Sequence, residues 1–129
     1  MRKKSVGKWQ SMLLLSLIGG VTLGMTQPLT VNPADGRQYF AANCAACHST
    51  SRGTNGIGPS LAGIIGRRSG SVPGFSYSPG LKSANIIWTR ESLDRWLQRP
   101  TNGVHTTRMM ISVPSQSDRQ TLITYLQTL

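Results

Sequence analysis

The chain has 129 residues with 14 Lys/Arg against four Asp/Glu, a formal charge of +10, and only 6% aromatic residues. That length admits one domain with a small core and excludes a multidomain architecture. With 14 Gly and 7 Pro spread through it, the chain is loop-rich, and a disulfide, a metal or a cofactor is expected to help hold it together.

The first residues read as an address. Arg2, Lys3, Lys4 and Lys8 form a positive head, and Met12 to about Met25 is nearly all apolar or Gly without a charge. The apolar run is shorter than the roughly 20 residues of a membrane-spanning helix, so residues 1–26 are expected to be a signal peptide, leaving 27–129 as one domain. No A-x-A cleavage pattern occurs, and Thr22-Leu23-Gly24 is among the nearest small-residue pairs, so an uncleaved N-terminal membrane anchor is the alternative. Either way the domain is exported to the periplasm. Four of the 14 basic residues belong to this segment; the remaining ten against four acids leave a net charge of about +6. Export, and basic residues scattered without interleaved aromatics, exclude nucleic acid and leave an acidic protein as the expected partner.

A first helix is expected from about Ala34 to Ala46, with Gly36 and Phe40 sharing a face and two cysteines at its end. Gly36 would let it cross the last helix closely. Next comes Cys44-Ala45-Ala46-Cys47-His48, and the chemistry concentrates here. Two thiols three residues apart can each add to a vinyl group of haem, and the adjacent His then projects toward the iron; this spacing marks c-type haem attachment. A disulfide, a redox dithiol or half of a zinc site completed by His105 are the competing readings. Zinc is disfavoured because His48 is locked to Cys47, whereas such sites separate their Cys and His pairs.

The stretch 49–83 carries most of the turn chemistry. Thr89 is the expected N-cap of a middle helix whose Leu93, Trp96 and Leu97 share an apolar stripe, with Pro100 as its stop; Trp96 is read as a core aromatic. After an irregular loop at Pro100-Thr101-Asn102-Gly103, with His105 on the surface, come Met109 and Met110. An iron held by His48 needs a second axial group or an open position, and one of these two thioethers is the candidate. The last helix is announced by a capping-box pair, Ser117 and Gln120, and by Leu122, Tyr125, Leu126 and Leu129 at helical spacing. Nothing alternates at period two, so a sheet is not expected and the fold class is all-α.

From about Pro33 to the C-terminus the chain resembles the class I cytochrome c family. The resemblance is carried by the haem motif, then Gly58-Pro59-Ser60-Leu61-Ala62-Gly63-Ile64-Ile65-Gly66-Arg67, Pro73-Gly74-Phe75-Ser76-Tyr77-Ser78, Trp88, and Arg108-Met109 before the final helix, in the family's order. It implies a small fold of three to five helices with long loops around one haem c, covalently attached at Cys44 and Cys47. By the same resemblance His48 and Met109 are the axial iron ligands, with Met110 the alternative. Thr106-Thr107-Arg108-Met109 departs from the family's usual Gly-Thr-Lys-Met at Thr106. Pro59 would accept the other ring N–H of His48 through its carbonyl, and Arg67, Tyr77 and Trp88 would reach the haem propionates, while Arg68 stays on the surface.

An iron with both axial positions filled exchanges electrons without binding substrate. The expected function is therefore electron transfer, a monohaem carrier shuttling single electrons between periplasmic or membrane redox partners, not an enzyme. Two rivals are a dedicated haem subunit of a periplasmic dehydrogenase or oxidase complex, and a peroxidase or gas sensor with a labile methionine ligand.

Overall fold

In the computed structural model, residues 31–129 are described; the expected signal or anchor segment, 1–26, lies outside them. The described residues form five helices: α1 Pro33–Asn43, α2 Pro79–Ser83, α3 Arg90–Gln98, α4 Pro100–Gly103 and α5 Gln116–Leu126. An isolated antiparallel bridge between Arg68 and Ile87 is the sole extended pairing among them. The all-α expectation therefore holds.

Asn32 starts α1, its side-chain oxygen accepting the Ala34 N–H at 2.9 Å, with Pro33 in the first turn where a missing N–H does no harm. The helix stops at Asn43, three residues short of the expected end. Beyond it the Cys44 and Ala45 N–H groups both reach the Phe40 carbonyl (2.8 and 3.0 Å), and the Cys47 and His48 N–H groups both reach that of Cys44 (3.0 and 2.9 Å). The cysteine motif thus occupies a tight turn of its own.

α1 lies across α5. Gly36 makes this possible: a Cβ there would sit 2.6 Å from Tyr125 Cβ and collide with the Thr121 carbonyl. Phe40 then packs on Tyr125 with ring centroids 5.7 Å apart.

Thr89 caps α3 in a reciprocal box with Ser92 and points Leu93, Trp96 and Leu97 inward. Pro100 ends this helix and at once begins another. The residue before a proline avoids the helical region, and Arg99 is extended at φ −162°, ψ 95°. Pro100 then occupies the first position of α4, so the expected irregular loop is a single helical turn.

The cap of α5 is Ser115, whose Oγ accepts from the Asp118 N–H at 3.3 Å, instead of the expected Ser117. The Gln120 amide, expected to complete the box, instead accepts from Arg90 Nη2. Leu122, Ile123 and Leu126 enter the core, which α3, α5, Phe40, Trp88 and Val113 complete. α2 was not anticipated: a five-residue helix capped by Ser78 carries too little periodicity to be seen in sequence.

Candidate functional site

These packed elements leave an apolar cavity of about 430 Å³, and Cys44, Cys47, His48, Met109, Trp88 and Trp96 are among its lining residues. The volume lies in the range of small-molecule and cofactor sites. Two thiols, an imidazole and a thioether around apolar walls are the donor set that a covalently attached haem requires, so the residues fit that group.

The turn after α1 aims three of these groups. Neither cysteine is joined to the other in a disulfide; before attachment, burial first and neighbouring Cys47 second push the Cys44 thiol up to about 11. His48 Nδ1 lies 2.8 Å from the Pro59 carbonyl, which fixes the ring plane and leaves Nε2 free to face the cavity. Gly58 lies flat against the same ring: a Cβ there would be 2.6 Å from Nδ1. The segment is tied back through the Gly58 N–H, which donates to the Cys47 carbonyl at 2.8 Å.

The wall that carries Met109 comes from the loop between α4 and α5. Thr107 is buried and anchors the loop, its N–H donating to the Val104 carbonyl (3.0 Å) while its Oγ1 accepts the Met109 N–H (3.1 Å). Met109 is half-buried and packs against the core; Met110 is 74% exposed. His105 is exposed and does not line the cavity.

A family profile for cytochrome c matches residues 33–129. A cytochrome c of Euglena viridis is 40% identical over 95 residues, covering 73% of this chain and 93% of its own length. A cytochrome c2 of Rhodopila globiformis is 38% identical over 101 residues, 76% of this chain and 93% of its own. Among solved structures, cytochrome cH from Methylobacterium extorquens superposes with a TM-score of 0.70 at 32% identity, covering 76% of this chain and 99% of that one. The chain belongs to the cytochrome c family. It is a monohaem c-type cytochrome, an electron-transfer protein with one covalently attached haem c.

Arg67, Tyr77 and Trp88 line the same cavity in the cytochrome. Arg67 donates through Nη1 to the Ala62 carbonyl (2.9 Å) and through Nη2 to that of Ser60 (2.8 Å), which holds the guanidinium in place. Burial lowers its pKa; Tyr77 opposes this, and nearby Arg52 adds to it. Burial likewise raises Tyr77, against the pull of a Val72 backbone hydrogen bond and of Arg67. The Trp88 N–H donates to the Arg67 carbonyl at 2.9 Å, so these two residues share one anchor. Arg68 is exposed and bonds Asn85, as expected of a surface residue.

Two functional neighbours escaped sequence reasoning. Trp96, read as core packing, is buried, yet its indole N–H also donates to the Met109 sulfur at 3.3 Å. Arg119 is 4% exposed; its Nε pairs with Asp94 (2.8 Å), and its Nη1 donates to the Val113 (3.0 Å) and Pro114 (2.7 Å) carbonyls. That arginine fastens the chain just after Met109 to α3 and α5. Its signal was a charge at position 119 on the face that also carries Leu122, Ile123 and Leu126.

Proposed function

We propose that residues 1–26 direct export and that residues 27–129 work in the periplasm as an electron shuttle whose iron is held between His48 and Met109. The observation that carries the reading is that His48 and Met109 line the same cavity as Cys44 and Cys47. When bound, the haem supplies a one-electron Fe(II)/Fe(III) couple, and a thioether ligand in an apolar pocket favours the reduced side. The chain's part is to fix both ligands beforehand: Pro59 and Gly58 set the imidazole, and Thr107 sets the loop that bears the thioether. Arg67, Tyr77 and Trp88 are proposed to meet the propionates, offering buried donors to groups that would otherwise be ionised in apolar surroundings.

Docking is proposed to occur at the cavity mouth. Ile57, Met110 and Ile111 line the cavity and are exposed by 81%, 74% and 55%. Arg108 is the exposed charged residue among the lining groups, and it donates to the Ser76 carbonyl. The contact itself is therefore apolar, while the basic balance of the whole domain steers acidic redox partners from a distance into a weak, short-lived complex. A freely exchanging carrier uses such a surface; a permanently docked subunit would survive high salt in complex with its partner.

The test is an absorption spectrum of the matured protein in both redox states, which reports covalent haem and a ferric sulfur-to-iron charge-transfer band. Met109→Ala is expected to abolish that band and Met110→Ala to leave it. Colourless protein from a host competent in haem attachment, or loss of the band only in Met110→Ala, would contradict the assignment. Carbon monoxide binding by the reduced protein at neutral pH would favour a labile ligand and a sensing or catalytic role.

A further inference from the structure

A loop that carries a ligand stays shut only if something outside the loop holds it. The bonds that shape the Met109 loop from within, Thr107 N–H to the Val104 carbonyl and Met109 N–H to Thr107 Oγ1, move with it and cannot do this. The Val113 N–H donates to the Leu97 carbonyl at 2.7 Å and ties the loop down at its far end. Between these points, the Trp96 contact ends on the Met109 sulfur and breaks whenever that side chain leaves. Among the described residues the remaining side-chain ties run to the segment 76–80: Arg108 donates to the Ser76 carbonyl, and Thr106 Oγ1 accepts the Gly80 N–H at 3.1 Å.

The Thr106 tie is built from both sides. α2 has five residues, and like any helix it begins with N–H groups that find no partner within it. Ser78 serves Leu81 through its Oγ (3.3 Å) and Lys82 through its carbonyl (3.1 Å); the Gly80 N–H is left over, and Thr106 takes it. Residue 80 must be glycine for this, because a Cβ there would collide with Thr106 Oγ1 and stand 2.9 Å from Val104 Cγ1. Arg108 is a long, exposed side chain and gives up more freedom to make its bond than a threonine does. We infer that Thr106 is a positioning residue that keeps the Met109 loop shut: its hydroxyl pins the loop to α2 and so denies the iron to small ligands such as imidazole. The inference rests on Met109 as the axial ligand. Thr106 itself does not line the cavity, so it acts on opening and leaves the redox couple alone.

The experiment titrates the ferric holoprotein with imidazole, which binds only when the Met109 side chain has left, and follows the loss of the sulfur-to-iron band. Thr106→Val exchanges the hydroxyl for a methyl group of similar size; loss of the bond is expected to raise the apparent affinity for imidazole about fivefold, with the reduction potential unchanged. Thr106→Ser keeps the hydroxyl and is expected to stay within about twofold of the parent. A Val variant with the parent's affinity, or a Ser variant no different from Val, would overturn the inference while leaving Met109 as ligand. A parent protein without the band would instead strike at the ligation itself, and at the inference with it. Should the Val variant fail to retain haem, amide exchange in the unsubstituted holoprotein decides: slowed exchange of the Gly80 N–H supports the pin, and exchange at the solvent rate refutes it.

Discussion

Arg119→Met is expected to loosen the distal loop before it unfolds the protein. The substitution keeps an unbranched apolar stem on α5 but removes the guanidinium that serves Asp94, Val113 and Pro114. Val113 is 2% exposed, so its carbonyl gains little water in exchange and losing its donor costs about 2 kcal/mol, whereas the carbonyl of exposed Pro114 is rehydrated at little cost. The Asp94 side chain is 29% exposed and is partly rehydrated, which holds the lost charge pair to about 1 kcal/mol. The total of about 3 kcal/mol corresponds to a fall in Tm of roughly 15 °C for a domain of this size. The assay is a thermal melt of the holoprotein followed both by helix circular dichroism and by the sulfur-to-iron band. The band should fade first, because the unsupported carbonyls lie four and five residues beyond Met109. Adding Asp94→Leu should restore about 1 kcal/mol, the part due to the stranded carboxylate, and no more. A melt within about 3 °C of the parent, or a band that fades only with the helices, would refute the reasoning.

Gly36→Ala should lower stability by ~2 kcal/mol, read from the denaturant midpoint, because the new methyl meets the Thr121 carbonyl and Tyr125 Cβ and forces α1 off α5. Gly58→Ala should push the His48 ring away from the Pro59 carbonyl; the imidazole becomes a poorer donor, and redox titration should show a higher potential with about 1 kcal/mol of stability lost. Ile111→Lys places a cation on the exposed cavity rim, and oxidation by hexacyanoferrate(III) should become more steeply salt-dependent with unchanged potential. Tyr77 is raised above its usual 10.0 in the folded chain, so folding retains a proton there that the unfolded chain releases; stability is fully present below about pH 10 and declines as pH rises toward the folded value. Tyr77→Phe should flatten that decline when unfolding is compared at about pH 9 and about pH 11.

The parts legible in the sequence are those governed by neighbours along the chain. The spacing of Cys44, Cys47 and His48 is a local, covalent fact, and the Thr89 cap and the Leu93, Trp96, Leu97 stripe follow from helical repeat alone. Gly36 was legible because a helix face that needs to approach another has few other options. Where two local patterns competed, the reading slipped: Ser117 and Gln120 make a plausible box, but Ser115 takes the cap and Arg90, from another helix, takes Gln120. The end of α1 slipped for a similar reason, since the cysteine turn draws both Cys44 and Ala45 onto the Phe40 carbonyl.

By itself the sequence determined the helical class and the attachment motif with its adjacent histidine, because each depends on residues within a turn or two of one another. Only the tertiary structure decided which methionine turns inward, that Trp96 grips its sulfur from 13 residues away, and that Arg119 clamps the loop behind it. Adjacent methionines are alike in chemistry and in spacing; what separates them is where α3, α5 and the Thr107 anchor place the loop in space, and no local pattern carries that information.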